Sequence, residues 1–401
     1  MPGNAASGVL FALTCILGAG LRLFLSQEGY NADLESWDIV STLVLDGKSV
    51  YANTYRYPYA PVGMYLLAAL KSLALRMELP SIQGFHLVVA GSLTLVDVGI
   101  GGLLLRVFGL GAAAFYLLNP VSLLITGYHS QIDNIAVLLG FLGWLALPRD
   151  GRSPSWTRFG VSAVLVGASL SIKHVLLLFP VWLVLSERRR TWGLRRLVLY
   201  CAICFAIFLG TFAAYLIVYP ESGPGMIDFV LRYRGLGYFG KALVPTLLKK
   251  ATMLIGGGSS LGPISLEDLF RPVFAVGVLV TGWLCRKMTT RDYYLYLVAV
   301  TFFSPAIADQ YLVIPLLAAA VLSGRWEAWL YTASATWAIL GSHTNLGRSA
   351  RFGPLLAGPV FQWVGRPEAQ ATLIFLLLGL SLAYRDNRWW RRLWPHETVA
   401  S

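Results

Sequence analysis

The chain has 401 residues, of which 56% are hydrophobic and only 13% are Asp, Glu, Lys or Arg. Soluble globular proteins carry about 25% charged residues, so this composition excludes a soluble globular domain and indicates an integral membrane protein. The formal net charge of +12 does not indicate nucleic-acid binding, because the basic residues lie mainly in short linkers between apolar segments.

Apolar segments recur along the chain and predict an all-α, polytopic membrane protein with about twelve transmembrane helices. Several segments are shorter than the roughly 20 residues that a straight span needs, so broken or tilted spans are expected. The segments cover residues 6–25, 83–105, 110–127, 134–148, 159–172, 175–185, 197–219, 272–285, 292–307, 310–323, 326–342 and 370–384.

The basic linkers predict the orientation, because cytoplasmic loops are rich in Lys and Arg. They place both termini in the cytoplasm when the apolar stretch 61–77 is an interfacial helix rather than a span. The polar clusters then share the non-cytoplasmic face, in loops 26–82, 220–271 and 343–369. The cytoplasmic tail 386–401 mixes Arg and Trp, as a membrane-interface anchor does.

Three acidic residues, Asp33, Glu35 and Asp38, follow the first apolar segment. The apolar spacing over 34–46 predicts an amphipathic helix on the outer leaflet, with Asp33 at its N-cap. Capping explains Asp33 and Glu35, but it does not require Asp38, which shares a helix face with Glu35. The alternative is a general base beside a bound phosphate, whose negative charge would raise the pKa of the carboxylate.

Further polar side chains lie at the predicted outer ends of the apolar segments. Cations there oppose the positive-inside pattern and are candidates for binding a phosphate, although headgroup contacts and salt bridges also explain the arginines. The candidate phosphate ligands are Lys173, His174, Arg234, Arg348 and Arg351. The candidate sugar or acceptor contacts are Tyr57, Tyr59, His129, Gln131, Asp133, Asp309 and Gln310. From the residues alone, a polar helix end is the better explanation of His129, and the tyrosines are equally typical of a membrane-interface belt.

The stretches "NADLESWDIV" and "DGKSVYANTYRYPYAPVGMYLL" together resemble the first outer loop of the GT-C glycosyltransferases. The likeness is closest to the dolichyl-phosphate-glucose-dependent glucosyltransferases of the asparagine-linked glycan pathway and their prokaryotic relatives. Those enzymes carry an acidic pair after the first span, then a Tyr-x-Tyr-Pro-Pro-like motif and an interfacial helix. Here the motif reads Tyr57-Pro58-Tyr59-Ala60-Pro61.

Later matches follow in the same order along the chain. "LLNPVSLLITGYHSQIDN" is similar to the family's third span with its His-x-Gln motif, and "SLSIKHVLLLFP" to its Lys-bearing hairpin. Asp97 lies in the second span, as an acid does in that family, and we expect it to pair within the bundle. "FFSPAIADQYLVIPLL" resembles the late outer motif, although "DQY" stands where the family often has His-Glu-Lys.

The resemblance implies a GT-C-like module over residues 1–185 and a variable transmembrane module over 186–385. It implies an inverting transfer of mannose or glucose from a polyprenyl-phosphate carrier to a glycan, glycolipid or protein. The site would face outward from a prokaryotic plasma membrane or into the lumen of the endoplasmic reticulum. Asp33 would be the base, with Glu35 and Asp38 in support. No cofactor is expected, although Asp33 and Glu35 offer oxygen ligands for a divalent ion.

The alternative is a membrane transporter or flippase of a lipid-linked sugar. A transporter predicts repeated halves and charges at the middle of the membrane in broken helices. The sequence shows no matching halves, and its acids cluster in the predicted outer loops. The expected partners are therefore the sugar donor, membrane lipids and the acceptor, with no nucleic acid.

Overall fold

The computed structural model describes residues 5–148, 154–231, 260–261, 264–304, 309–341, 351 and 353–356. These ranges are almost entirely helical, which confirms the all-α part of the predicted fold class. The one sheet within them is an antiparallel pair of two-residue strands, β1 (Ser260–Leu261) and β2 (Ile264–Ser265).

The helices follow one another with short connections. In the first half of the chain they are α1 (Ala5–Gln27), α2 (Ala32–Leu45), α3 (Val50–Asn53), α4 (Pro61–Arg76), α5 (Ile82–Phe108), α6 (Leu110–Leu117), α7 (Pro120–Leu123), α8 (Asp133–Ala146) and α9 (Trp156–Ile172). In the second half they are α10 (Phe179–Leu185), α11 (Arg188–Trp192), α12 (Leu194–Val218), α13 (Gly223–Met226), α14 (Leu266–Leu284), α15 (Thr290–Phe303), α16 (Leu316–Val321), α17 (Trp326–Gly341) and α18 (Gly353–Leu356). Turns of 3₁₀ helix lie at His174–Leu176, Pro220–Ser222 and Asp309–Val313, and π-helical turns at Leu124–Tyr128 and Ile227–Leu231.

Three of the described helices are long and apolar enough to cross a membrane: Ala6–Gln27, Ile82–Phe108 and Leu194–Val218. The pair Leu110–Leu117 and Pro120–Tyr128 makes a fourth if its two parts, bent by 46°, form one span. Proline explains the break, because its ring fits the first turn of a helix but not the interior.

The prediction of about twelve spans is therefore not confirmed, since a straight span needs roughly 20 residues. Most of the remaining predicted segments do form helices, but these are short. The shorter apolar helices are Asp133–Ala146, Trp156–Ile172, His174–Leu185, Pro272–Leu284 and Asp309–Val321. The predicted segment 370–384 and the tail 386–401 lie outside the described residues.

The two helices predicted over 34–46 and 61–77 are present as α2 and α4, which pack against each other. The buried face of α2 carries Leu34, Trp37 and Val40, the spacing from which the helix was predicted. These side chains form the core of the first loop together with residues from α4 and α5. The N-terminus of α2 is thereby held against the bundle.

A buried polar network ties the first half of the bundle together around Asp97. Arg22 Nε lies 2.9 Å from the Asp97 carboxylate, which also accepts hydrogen bonds from Tyr116, Thr126 and Asn134 at 2.6–3.0 Å. A buried ion pair is tolerated when further hydrogen bonds satisfy its remaining atoms, as they do here. The expected pairing of Asp97 within the bundle is confirmed, and it joins α1, α5, α6, the π-helical turn and α8.

Candidate functional site

Side chains from three separate parts of the chain meet beside the N-terminus of α2. Asp33 lies in the first turn of α2, and the Gln131 side-chain amide donates to its Oδ2 atom at 2.7 Å. Lys173 follows the last residue of α9, and its Nζ donates to Asp133 Oδ2 at 2.5 Å. We call the group the Asp33 cluster; its members are Asn31, Asp33, His129, Gln131, Asp133 and Lys173.

Asn31, and not Asp33, is the N-cap of α2, which corrects the prediction. Its Oδ1 accepts the backbone N–H of Asp33 at 3.2 Å from an extended backbone conformation. Its Nδ2 donates to Asp33 Oδ2 at 3.3 Å and to His129 Nδ1 at 2.8 Å. Asn and Asp are equally good N-cap residues. Asn31, two residues before the predicted cap, could therefore have been predicted as the cap from the sequence. The Asp33 carboxylate is therefore not used for capping.

Among the described residues, the Asp33 carboxylate has one hydrogen-bonded oxygen and one oxygen without a side-chain partner. Both side-chain hydrogen bonds, from Asn31 and Gln131, fall on Oδ2, and Oδ1 accepts none from the residues that the structure describes. Burial raises the pKa of the Asp33 carboxyl above its usual range. The positive charge of Lys173 and the two hydrogen bonds lower the pKa, but they do not cancel the effect of burial.

The turn that carries His129 and Gln131 has an unusual backbone. It follows the π-helical turn Leu124–Tyr128, and the His129 N–H still donates to Leu124 O at 3.0 Å. Ser130 then adopts a positive φ of 51°, a conformation that few residues other than glycine adopt. Local π-helical turns and such backbone outliers are frequent at functional sites. Here they bring Gln131 to Asp33 and His129 to Asn31, the N-cap of the same helix.

Three buried polar atoms of the Asp33 cluster have no hydrogen-bond partner among the described residues: His129 Nε2, Gln131 Oε1 and Asp133 Oδ1. Because His129 Nδ1 accepts from Asn31, its Nε2 carries the proton of the neutral ring. Burial, with a contribution from His86, lowers the pKa of His129 to about 4, so the ring is neutral near pH 7. Buried polar atoms are normally hydrogen-bonded, so one donor and two acceptors remain for a polar ligand.

The Lys173 ammonium is fully buried and is surrounded by a carboxylate and two rings. Its side chain is 1% exposed and that of Asp133 is 0% exposed. The Nζ atom also lies 4.5 Å from the ring centroid of Tyr59 and 5.3 Å from that of Tyr311. Cation–π contacts of this kind stabilise a charge that has lost water. Tyr311 belongs to the quoted late motif, but no local pattern assigned it to the site.

Glu35 and Asp38 do not join the Asp33 cluster. Glu35 lies 3.9 Å from Arg56, and both side chains are partly exposed. Asp38 Oδ1 accepts a hydrogen bond from Lys71 Nζ at 2.6 Å, which links α2 to α4. Partly exposed ion pairs account for the positions of both carboxylates. The described contacts show no interaction of Glu35 or Asp38 with Asp33, so their predicted role in supporting the base has no contact behind it.

The two tyrosines of the first loop have different surroundings. Tyr57 is fully buried, its hydroxyl donates to Ala60 O at 2.9 Å, and its ring packs edge-on against Trp37. This burial leaves Tyr57 no surface for a sugar in the observed conformation. Tyr59 is 7% exposed, and its ring covers Lys173.

The remaining candidates lie around this group or outside it. His174 lies beside Tyr59, with 6.2 Å between the ring centroids, and its buried Nδ1 has no partner among the described residues. Asp309 and the buried Gln310 lie in the 3₁₀ turn that carries Tyr311. Arg351 is exposed and forms a salt bridge with Glu28 at 2.9 Å. Glu28 belongs to the first loop, so this contact is the salt bridge that was the alternative to phosphate binding by Arg351. Arg234 and Arg348 lie outside the described residues.

Within the described ranges, no group of three or more His, Cys, Asp or Glu side chains is placed to hold a metal ion. The oxygen pair of Asp33 and Glu35 that could have held one is divided, because Glu35 faces Arg56. A comparison of the chain with models of known protein families gives no match. A comparison with curated protein sequences gives no match either.

Proposed function

We propose that the chain is an inverting glycosyltransferase with a GT-C-like fold of about twelve spans, several of them broken or tilted. It would move mannose or glucose from a polyprenyl-phosphate carrier to a hydroxyl of a glycan, glycolipid or protein. The reaction would take place on the non-cytoplasmic face of a prokaryotic plasma membrane or of the endoplasmic reticulum, with both termini cytoplasmic. The observation that supports this proposal best is the Asp33 carboxylate: amide groups donate to one oxygen, and no side chain among the described residues donates to the other.

Asp33 has the geometry and the proton affinity that a general base needs. Its free Oδ1 would take the proton of the acceptor hydroxyl while the acceptor oxygen attacks the anomeric carbon. The bond from that carbon to the phosphate oxygen breaks, and its electron pair leaves with the lipid phosphate. A carboxylate whose pKa is raised by burial is a stronger base near neutral pH, and such help contributes about 10²–10⁴ in rate.

The unpartnered atoms of the Asp33 cluster fit a sugar. The His129 Nε2–H can donate to a sugar hydroxyl, and Gln131 Oε1 and Asp133 Oδ1 can accept from others. A hydroxyl both donates and accepts, so one ring with several hydroxyls can satisfy all three atoms. A site built on buried hydrogen-bonding groups strongly rejects ligands that lack them.

The leaving phosphate requires more positive charge than the Asp33 cluster contains. When Asp33 and Asp133 are both ionised, the charge of Lys173 balances only one of them. The phosphate would therefore need a further cation next to Lys173. We propose that the predicted outer arginines supply it; they are Arg351, which is exposed beside Glu28, and Arg234 and Arg348.

A transporter or flippase of a lipid-linked sugar is the second candidate. It is favoured by the buried pair Lys173–Asp133 and by the helix broken between Leu117 and Pro120, because transporters place charges and interrupted helices inside the membrane. The acidic first loop and its half-buried base are not required for transport.

The purified protein in lipid nanodiscs tests the two proposals against each other. Polyprenyl-phosphate-mannose and polyprenyl-phosphate-glucose would be offered with a membrane lipid extract as the acceptor. Sugar transfer to the extract, with inversion at the anomeric carbon, is the expected result. Movement of the intact donor between leaflets of proteoliposomes, with no sugar transfer, would instead support the flippase.

A further inference from the structure

The Lys173 ammonium lies between rings that come from opposite halves of the chain. Tyr59 belongs to the first loop, just before α4, whereas Tyr311 belongs to the 3₁₀ turn Asp309–Val313. The Nζ atom is 4.5 Å from the first ring centroid and 5.3 Å from the second, and both distances are within the range of a cation–π contact. Tyr311 is thus a direct contact between the second half of the chain and the Asp33 cluster.

The backbone beneath the second ring is fixed by hydrogen bonds from neighbouring helices. The Thr301 hydroxyl of α15 donates to Tyr311 O at 3.3 Å. The buried Tyr331 hydroxyl of α17 donates to Leu312 O at 2.7 Å. Tyr311 itself is only half-buried, so its ring is supported by the 3₁₀ turn and is not part of the deep core. A substitution there can change the surroundings of Lys173 without opening a cavity in the core.

The position of the Lys173 charge matters because few other charges among the described residues act on Asp33. Asp133 on α8 interacts electrostatically with Asp33, and the neutral His129, in the turn before α8, contacts Asn31 beside it. Glu35 lies on the same helix as Asp33 and pairs with a cation of its own. The four-carbon stem of a lysine is flexible, so the ammonium needs contacts on several sides to remain in one place.

We propose that Tyr311 is a positioning residue, whose ring holds the Lys173 ammonium at the side of Asp133 that faces Asp33. The effect on the reaction is indirect, because Tyr311 acts on the base through the charge of Lys173. For its catalytic meaning the inference rests on the proposed function. The charge arrangement itself can be tested without any enzymatic activity.

The test measures the pH at which Asp33 becomes protonated. A hydrophobic carbodiimide modifies protonated carboxyl groups, and mass spectrometry of the protein in nanodiscs gives the pH midpoint of labelling at Asp33. The exposed Asp46, whose side chain is 48% exposed, is the internal standard. Tyr311→Leu removes the ring, and Tyr311→Phe keeps the ring but removes the hydroxyl.

A neighbouring positive charge lowers the pKa of a carboxyl group by roughly 1–3 units. Tyr311→Leu should remove a part of this effect, so we expect it to raise the pH midpoint of Asp33 labelling by about one unit. Tyr311→Phe should keep the wild-type midpoint, since the ring and not the hydroxyl contacts the ammonium. A Tyr311→Leu midpoint equal to that of the wild type would overturn the proposal. An equal rise in both variants would also overturn it, because the hydroxyl would then be the cause.

A combined variant separates positioning from a general loosening of the site. In a Lys173→Met/Asp133→Asn background the Lys173 charge is absent and no buried charge is left uncompensated, so adding Tyr311→Leu should cause no further shift at Asp33. A further rise of similar size would mean that Tyr311 acts by another route and would refute the inference. If the midpoints behave as expected and no donor is used, the proposed transfer reaction fails while the positioning role of Tyr311 stands.

Discussion

Removing the Lys173 charge should destabilise the protein strongly, because its partner stays buried. The Asp133 side chain is 0% exposed, and its Oδ1 has no hydrogen-bond partner among the described residues, so water does not compensate the loss. Breaking a buried pair by removing one partner costs about 3–5 kcal/mol. We therefore expect Lys173→Met to lower the free energy of unfolding by that amount. Lys173→Met combined with Asp133→Asn should recover most of the loss, since no uncompensated charge remains.

The assay is reversible unfolding in mixed micelles, with the free energy compared only where the denaturant slope is unchanged. Lys71→Met is the matched control, because it makes the same substitution in the partly exposed pair with Asp38. A pair at the surface contributes about 0–1 kcal/mol, so the control should remain near the wild type. The reasoning is refuted if Lys173→Met and Lys71→Met destabilise the protein equally.

Three further predictions follow from the same contacts. Glu35→Gln and Asp38→Asn should each keep sugar-transfer activity within about threefold of the wild type, because partly exposed ion pairs engage these acids; a loss equal to that of Asp33→Asn would contradict this. Gly63→Ala should lower the free energy of unfolding by about 1–3 kcal/mol through overpacking, since the added Cβ would lie 2.6 Å from Tyr57 Oη. Gly99→Ala is the control in the same unfolding assay and should be neutral, because its added Cβ meets no atom within 4 Å. The pH profile of kcat/KM should rise through a pKa above that of an ordinary aspartate, because burial favours the protonated, inactive form of the base; a profile that is flat down to pH 4 would exclude Asp33.

The helices of the chain could be predicted from the sequence because their apolar period is long and regular. Most of the predicted segments between 6 and 342 coincide with helices, and the first-loop helices α2 and α4 were located within about two residues. Their number as membrane spans was not predictable in the same way. A run of apolar residues does not distinguish a span from a short helix packed inside the bundle. A helix of 14 residues, such as α8, is shorter than a straight span and fits either interpretation.

The composition of the site was partly predictable, whereas its contacts were not. Asp33, Gln131, Asp133 and Lys173 were each singled out as polar residues at apolar helix ends, and the structure brings them together. The pairing of Lys173 with Asp133 joins residues that had been assigned to different roles. It depends on how α8 and α9 pack, which one sequence does not specify.

Two residues of the site, Asn31 and Tyr311, were not predicted from the sequence, each for a simple physical reason. Asn31 was passed over because a neighbouring aspartate was an equally good cap, and only the three-dimensional hydrogen bonds separate the two residues. Tyr311 was passed over because its ring contact with Lys173 spans 138 residues of chain, beyond the reach of any local pattern. Tyr57 shows the reverse case, since an aromatic residue in a polar loop was assigned to sugar binding and is fully buried.

The most direct test of the account is sugar transfer by Asp33→Asn compared with the wild type. Both proteins would be purified in nanodiscs and offered polyprenyl-phosphate-mannose or polyprenyl-phosphate-glucose with a lipid-extract acceptor, and donor binding would be measured separately. The amide keeps the shape of the side chain, and its oxygen can accept the hydrogen bonds from Asn31 and Gln131, but it cannot take a proton from the acceptor hydroxyl. If Asp33 is the base, kcat should fall by about 10²–10⁴ while donor binding is retained. Undiminished transfer by Asp33→Asn would contradict this role.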